Sequence, residues 1–112
     1  MVDLNNLCEL AHNNAVQRQR NGANIKADTR SMLKHCATEV VEATEAYTKA
    51  MAIFNRTGCY SFEDTDNFRA ELADIVCCVL IIAGHEGIDI EDAINECIEK
   101  NRKRAEGTGD KK

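Results

Sequence analysis

Residues 38–45 read Thr-Glu-Val-Val-Glu-Ala-Thr-Glu, and residues 71–74 read Glu-Leu-Ala-Asp. Each stretch carries two carboxylates three residues apart, Glu39 with Glu42 and Glu71 with Asp74. On a helix such residues lie about 60° apart around the axis, so each pair points one way. Val40 and Val41 sit inside the first pair and Leu72 and Ala73 inside the second, so both pairs border apolar stripes. Asp74 also opens directly onto the apolar run Ile75–Ala83, where a carboxylate needs compensation. If the two helices pack antiparallel, all four carboxylates meet. Like charges at such a point cannot all stay ionised without cost. A hard divalent cation resolves the conflict, and an all-oxygen ligand set favours Mg²⁺, Mn²⁺ or Ca²⁺ over Zn²⁺. The expected centre is therefore a Mg²⁺ site, with Mn²⁺ possible, held by Glu39, Glu42, Glu71 and Asp74.

Outward from this centre the chain reads as helical throughout. It has 112 residues, no Pro, no Trp and few aromatics, a composition that favours helix. Leu4, Leu7, Cys8, Ala11 and Ala15 recur at helical spacing, which predicts a first helix over about Leu4–Arg18. Asn21 to Ala27 reads as a loop, and Asp28 or Thr29 caps a long second helix, about Arg30–Phe54. Its expected core stripe is Leu33, Ala37, Val40, Thr44, Tyr47, Met51 and Phe54. Ser61 with Asp64, or Thr65, starts a third helix that runs to about His85. Its Ile75–Ala83 stretch is apolar on every side, which predicts burial all round. A small helical domain can hardly supply that much cover, so the run points to a subunit interface. Gly84 and Gly87 break the helix, and Asp89 caps a last one over Ile90 to about Arg104. Residues 1–106 are expected to form one helical domain of the four-helix-bundle type, and 107–112 a disordered tail.

Other features carry less. A single Glu-x-x-Glu is common on solvated helix faces, and only the pairing of two such motifs gives weight. Glu45 has Lys49 four residues on, which an i,i+4 ion pair explains. His35 lies one turn before Glu39 and reads as a helix-surface histidine within reach of that carboxylate. Glu9-Leu-Ala-His12 has di-iron spacing, but that architecture needs a second copy of the motif, and the chain has none. Cys78, two turns beyond Glu71, reads as a buried structural thiol. Lys100 and Arg104 share a face of the last helix. The helix dipole accounts for basic residues there, though they would meet phosphate if that helix end reached the acidic site.

The net charge of −5 argues against non-specific nucleic-acid binding. The run Ile75–Ala83 is too short to span a bilayer. Met1–Glu9 does not resemble a secretion signal, and no Cys-x-x-Cys pair occurs among the six cysteines. Free thiols in a cytoplasmic protein are therefore expected.

The paired motifs, followed by Gly87-Ile-Asp-Ile-Glu-Asp-Ala-Ile-Asn-Glu-Cys-Ile-Glu-Lys-Asn-Arg-Lys-Arg104, resemble the all-α nucleoside triphosphate pyrophosphohydrolases of the MazG-like group, over about Ser31–Arg104. In dCTP-type members the closing helix reads Lys-x-x-x-Asn-x-x-Arg. Asn101 and Arg104 match that pattern, Cys97 stands at the lysine position, and Lys100 lies nearby. Thr38 stands where many members carry a further Glu, and the tryptophans that hold the base in dCTP-type relatives are absent. The resemblance implies hydrolysis of an NTP or dNTP to the monophosphate and pyrophosphate. It assigns the metal to the four carboxylates, a water-activating role to Glu39 or Glu42, and phosphate contacts to Lys100, Asn101 and Arg104. It also implies a homodimer or homotetramer. Two alternatives stand beside it: a phosphoribosyl-ATP pyrophosphatase-like enzyme, and a non-catalytic helical dimerisation module.

Overall fold

A computed structural model describes residues 3–107. Four capping side chains start four helices. The Asp3 carboxylate accepts from the Asn6 N–H (3.1 Å) and opens α1, Leu4–Arg20. Asp28 accepts from the Ser31 N–H (2.9 Å) and opens α2, Thr29–Thr57. Ser61 Oγ accepts from the Asp64 N–H (3.0 Å) and opens α3, Phe62–Glu86. Asp89 accepts from the Asp92 N–H (3.1 Å) and opens α4, Ile90–Ala105. Each cap gives an otherwise unpaired first-turn N–H an acceptor. Gly58 and Gly87 end α2 and α3 with φ of 78° and 69°, a left-handed conformation that suits glycine. Helix α2 runs to Thr57, beyond the expected Phe54, because Asn55 to Thr57 tolerate helix and the stop is Gly58.

The class is all-α, as the periodicity predicts. Helix α3 is the centre of the chain, with α2 against one side and α1 against the other. Ala15, Ala27, Met32, Cys78 and Ile81 form the main core cluster, and Cys8, Leu80 and Ala83 a second. At Gly84 the helices come so close that an added Cβ would stand 2.5 Å from the Cys8 carbonyl oxygen. The cleft beside Glu39 lies between α2 and α3 with the end of α1 at its wall, next to the main core.

Two expectations about faces change. On α2 the buried positions are Met32, Glu39, Ala43 and Ala50, whereas Leu33, Val40 and Tyr47 are exposed. Helix α2 carries two adjacent apolar stripes, and α3 covers the one that includes Glu39. On α3 the Ile75–Ala83 run buries Cys78, Leu80, Ile81 and Ala83 but leaves Val76 54% and Val79 41% exposed. One chain therefore covers only half of that helix.

Helix α4 joins the body at its start. Leu4 N–H donates to the Glu91 carboxylate (3.0 Å), and Asn5 Oδ1 accepts from the Ile90 N–H (3.1 Å). No residue of α4 is buried, and Ile94 and Ile98 face solvent. The Cα radius of gyration is 17.3 Å, against about 13 Å for a compact chain of this length. The body is thus three helices with α4 as an arm. Among the described residues no helix is long and apolar enough to cross a membrane. Of the expected tail only Gly107 falls within the described residues.

Candidate metal centre

The buried stripe of α2 carries Glu39 inward, because Met32 and Ala43, on either side of it along that face, are held by the core. Its residue exposure is 8%. One oxygen, Oε1, lies 3.0 Å from His35 Nε2, one helical turn earlier. The other, Oε2, is buried with no hydrogen-bond partner, and Glu71 Oε2 on α3 is in the same condition. A buried acceptor left unpaired costs about 1–3 kcal/mol, and more when charged. Two of them, from facing helices, mark a place where something positive belongs. Glu42 completes the group: carboxylate oxygens of Glu39, Glu42 and Glu71 all lie within 4.8 Å of one another.

The electrostatics agree with the geometry. Burial pushes the Glu39 carboxyl above its ordinary range, and the charges of Glu42, Asp74 and Glu71 push it further, with His35 opposing them. Asp74 lines the same cleft as Glu39, so its charge reaches the group, but its oxygens lie outside the close triad. The structure therefore brings three of the four expected carboxylates into ligand range of one another and sets the fourth beside them. Burial also pushes the Cys78 thiol up to about 11, with Cys36 adding to the effect. The Cys78 sulfur lies outside the group of Glu39, Glu42 and Glu71, whose donors are all oxygen.

Fit to a hard divalent ion follows from these observations. Three convergent carboxylates, two with orphaned buried oxygens and one raised pKa, suit Mg²⁺-type ligation. A cleft of about 340 Å³ adjoins the group at Glu39 and is walled by Arg18, His35, Glu39 and Asp74 over a floor that includes Met32 and Ile81; Glu42 and Glu71 do not line it.

Lys100, Asn101 and Arg104 all lie exposed on α4, and none lines this cleft. The Asn101 side-chain amide points back to Cys97 Sγ at 3.8 Å. Glu45 is exposed and outside the triad, and Glu9 and His12 are on α1, where the His12 ring meets His85 at 5.4 Å. Arg18 is the residue that sequence reading missed. It sits in the last turn of α1, where the helix dipole accounts for a basic residue, and only the packing of α1 on α3 reveals the cleft it faces.

A family model for the MazG nucleotide pyrophosphohydrolase domain matches residues 27–108, which include both acidic pairs and the whole of α2, α3 and α4. No match is found among curated proteins or solved structures.

Proposed function

The chain belongs to the MazG nucleotide pyrophosphohydrolase family, and from that premise we propose that it is a Mg²⁺-dependent hydrolase of an NTP or dNTP. The products are the monophosphate and pyrophosphate. The observation that carries this reading is the pair of orphaned, buried carboxylate oxygens on Glu39 and Glu71, with Glu42 in range of both. A solvated acidic face, as a non-catalytic module would have, does not bury such atoms.

Glu39, Glu42 and Glu71 hold the ion, with Asp74 as the fourth carboxylate at the cleft wall. When bound, Mg²⁺ supplies charge neutralisation for phosphate oxygens and acidifies a water molecule. His35, 3.0 Å from Oε1, restrains the Glu39 side chain and leaves the unpartnered Oε2 for the ion. Glu42 is exposed and is the carboxylate best placed to exchange protons with solvent and to orient the attacking water. Lys100, Asn101 and Arg104 act on the phosphates from a second copy of the chain, because α4 of the same chain stands away from its own cleft. The exposed faces of α2, α3 and α4, with Val40, Val76, Val79, Ile94 and Ile98, form the interface of that homodimer or of a tetramer built from it. The protein works in the cytoplasm, where its six free thiols stay reduced.

Mutagenesis tests this. Glu71→Gln and Asp74→Asn each keep the helical circular-dichroism spectrum and abolish pyrophosphate release from an NTP panel with Mg²⁺. Near wild-type turnover in Glu71→Gln would remove the metal assignment.

A further inference from the structure

Resting on the nucleotide-hydrolase reading, we propose that Arg18 is the anchor for the terminal phosphates of the substrate, and hence for the pyrophosphate leaving group. Arg18 lies outside the segment that the family model matches. A triphosphate carries more negative charge than one divalent ion cancels, and to reach an ion held at Glu39, Glu42 and Glu71 it can enter by the adjoining cleft, which Glu39 and Asp74 line. Repulsion there calls for a cation on the cleft wall itself. The cleft offers two basic side chains, His35 and Arg18. His35 Nε2 already stands 3.0 Å from Glu39 Oε1. Arg18 forms no ion pair among the described residues, although it lines the same cleft as two carboxylates.

Its position is set by packing. Ala15 is 2% exposed in the main core against Cys78 and Ile81. Arg18 follows three residues later on the same helical face and is the first position beyond that core. The loop after α1 is tied to the same turn: the Arg18 carbonyl accepts from the Ala23 N–H (3.0 Å), and Gln19 Oε1 accepts from the Ala27 N–H (3.1 Å). The backbone that carries Arg18 is thus fixed, while the residue itself is exposed at the cleft wall. Its planar fork suits two phosphate oxygens at once. Arg20, in the same last turn, does not line the cleft and serves as the control for a mere dipole charge.

Isothermal titration of inorganic pyrophosphate with Mg²⁺ into the whole protein tests the proposal, alongside steady-state hydrolysis. Arg18→Ala is expected to weaken pyrophosphate binding by roughly ten- to a hundred-fold, the range for one charged hydrogen-bonded contact. Arg18→Lys should recover part of the loss, and Arg20→Ala should match wild type. The Mg²⁺-induced thermal shift without pyrophosphate should be the same in all four proteins. Equal pyrophosphate affinity in wild type and Arg18→Ala, with hydrolysis intact, would overturn the assignment and leave the hydrolase reading standing. A loss in Arg20→Ala as large as in Arg18→Ala would overturn it too. Arg18-dependent pyrophosphate binding in a protein that hydrolyses no nucleotide would instead sink the hydrolase reading and keep the anchor.

Discussion

Replacing Glu39 by Gln should make the metal-free protein more stable. Two unit charges 4.8 Å apart, the outer limit for the carboxylate triad, repel by about 3.5 kcal/mol at an effective dielectric constant of about 20. Glu42 is exposed and Glu71 half-buried, so solvent screens much of that, and about 1–2 kcal/mol is left to be relieved. Gln keeps the shape of Glu, and its amide N–H can donate to the orphaned Glu71 oxygen. The sign with pH follows from the raised Glu39 pKa. Below the ordinary glutamate value of 4.5 the group is protonated folded or unfolded and costs nothing. As pH rises through the raised folded value, ionisation costs the folded state stability. The advantage of Glu39→Gln should therefore be absent below pH 4.5 and grow as pH rises above it, levelling off beyond the raised folded value. Urea unfolding in EDTA at several pH values measures it. Added Mg²⁺ should stabilise wild type by more than the variant, because the ion binds the folded carboxylates. A variant less stable than wild type without metal at neutral pH, or an equal gain from Mg²⁺ in both, would refute the reasoning.

Two further outcomes test the packing. Gly84→Ala places a Cβ 2.5 Å from the Cys8 carbonyl oxygen and 2.8 Å from His12 Cβ. The overpacking cost of about 1–3 kcal/mol should exceed the gain of about 1 kcal/mol in helix propensity, so the urea midpoint should fall; an unchanged or higher midpoint contradicts the close α1–α3 approach. Light scattering at micromolar concentration should give the wild type a mass at least twice the 12.4 kDa of one chain, and Ile98→Glu should lower it towards one chain; a wild-type monomer would remove the dimer.

Local chemistry explains what was legible in the sequence. Asp28, Ser61 and Asp89 cap helices where a short acceptor side chain precedes an apolar period, and Gly58 and Gly87 end them where a positive φ is needed. The carboxylate triad was legible for the same reason: Glu39 and Glu42 share a face by spacing alone, and α3 presents Glu71 to them. What spacing does not decide is which of two neighbouring stripes meets a partner. Leu33, Val40 and Tyr47 have the same period as Met32, Glu39 and Ala43, and only the position of α3 separates them. Arg18 was hidden because its proposed role depends on a helix outside both motifs, and α4 because its apolar face finds no cover among the described residues.

The proposed reaction is a metal-dependent cut between the α and β phosphates. Phosphorus NMR of an NTP panel incubated with the protein and Mg²⁺ follows that bond directly. The account predicts monophosphate and inorganic pyrophosphate appearing together, with neither forming in EDTA or with Glu71→Gln. Diphosphate and inorganic phosphate as products, or equal turnover with and without metal, would contradict it.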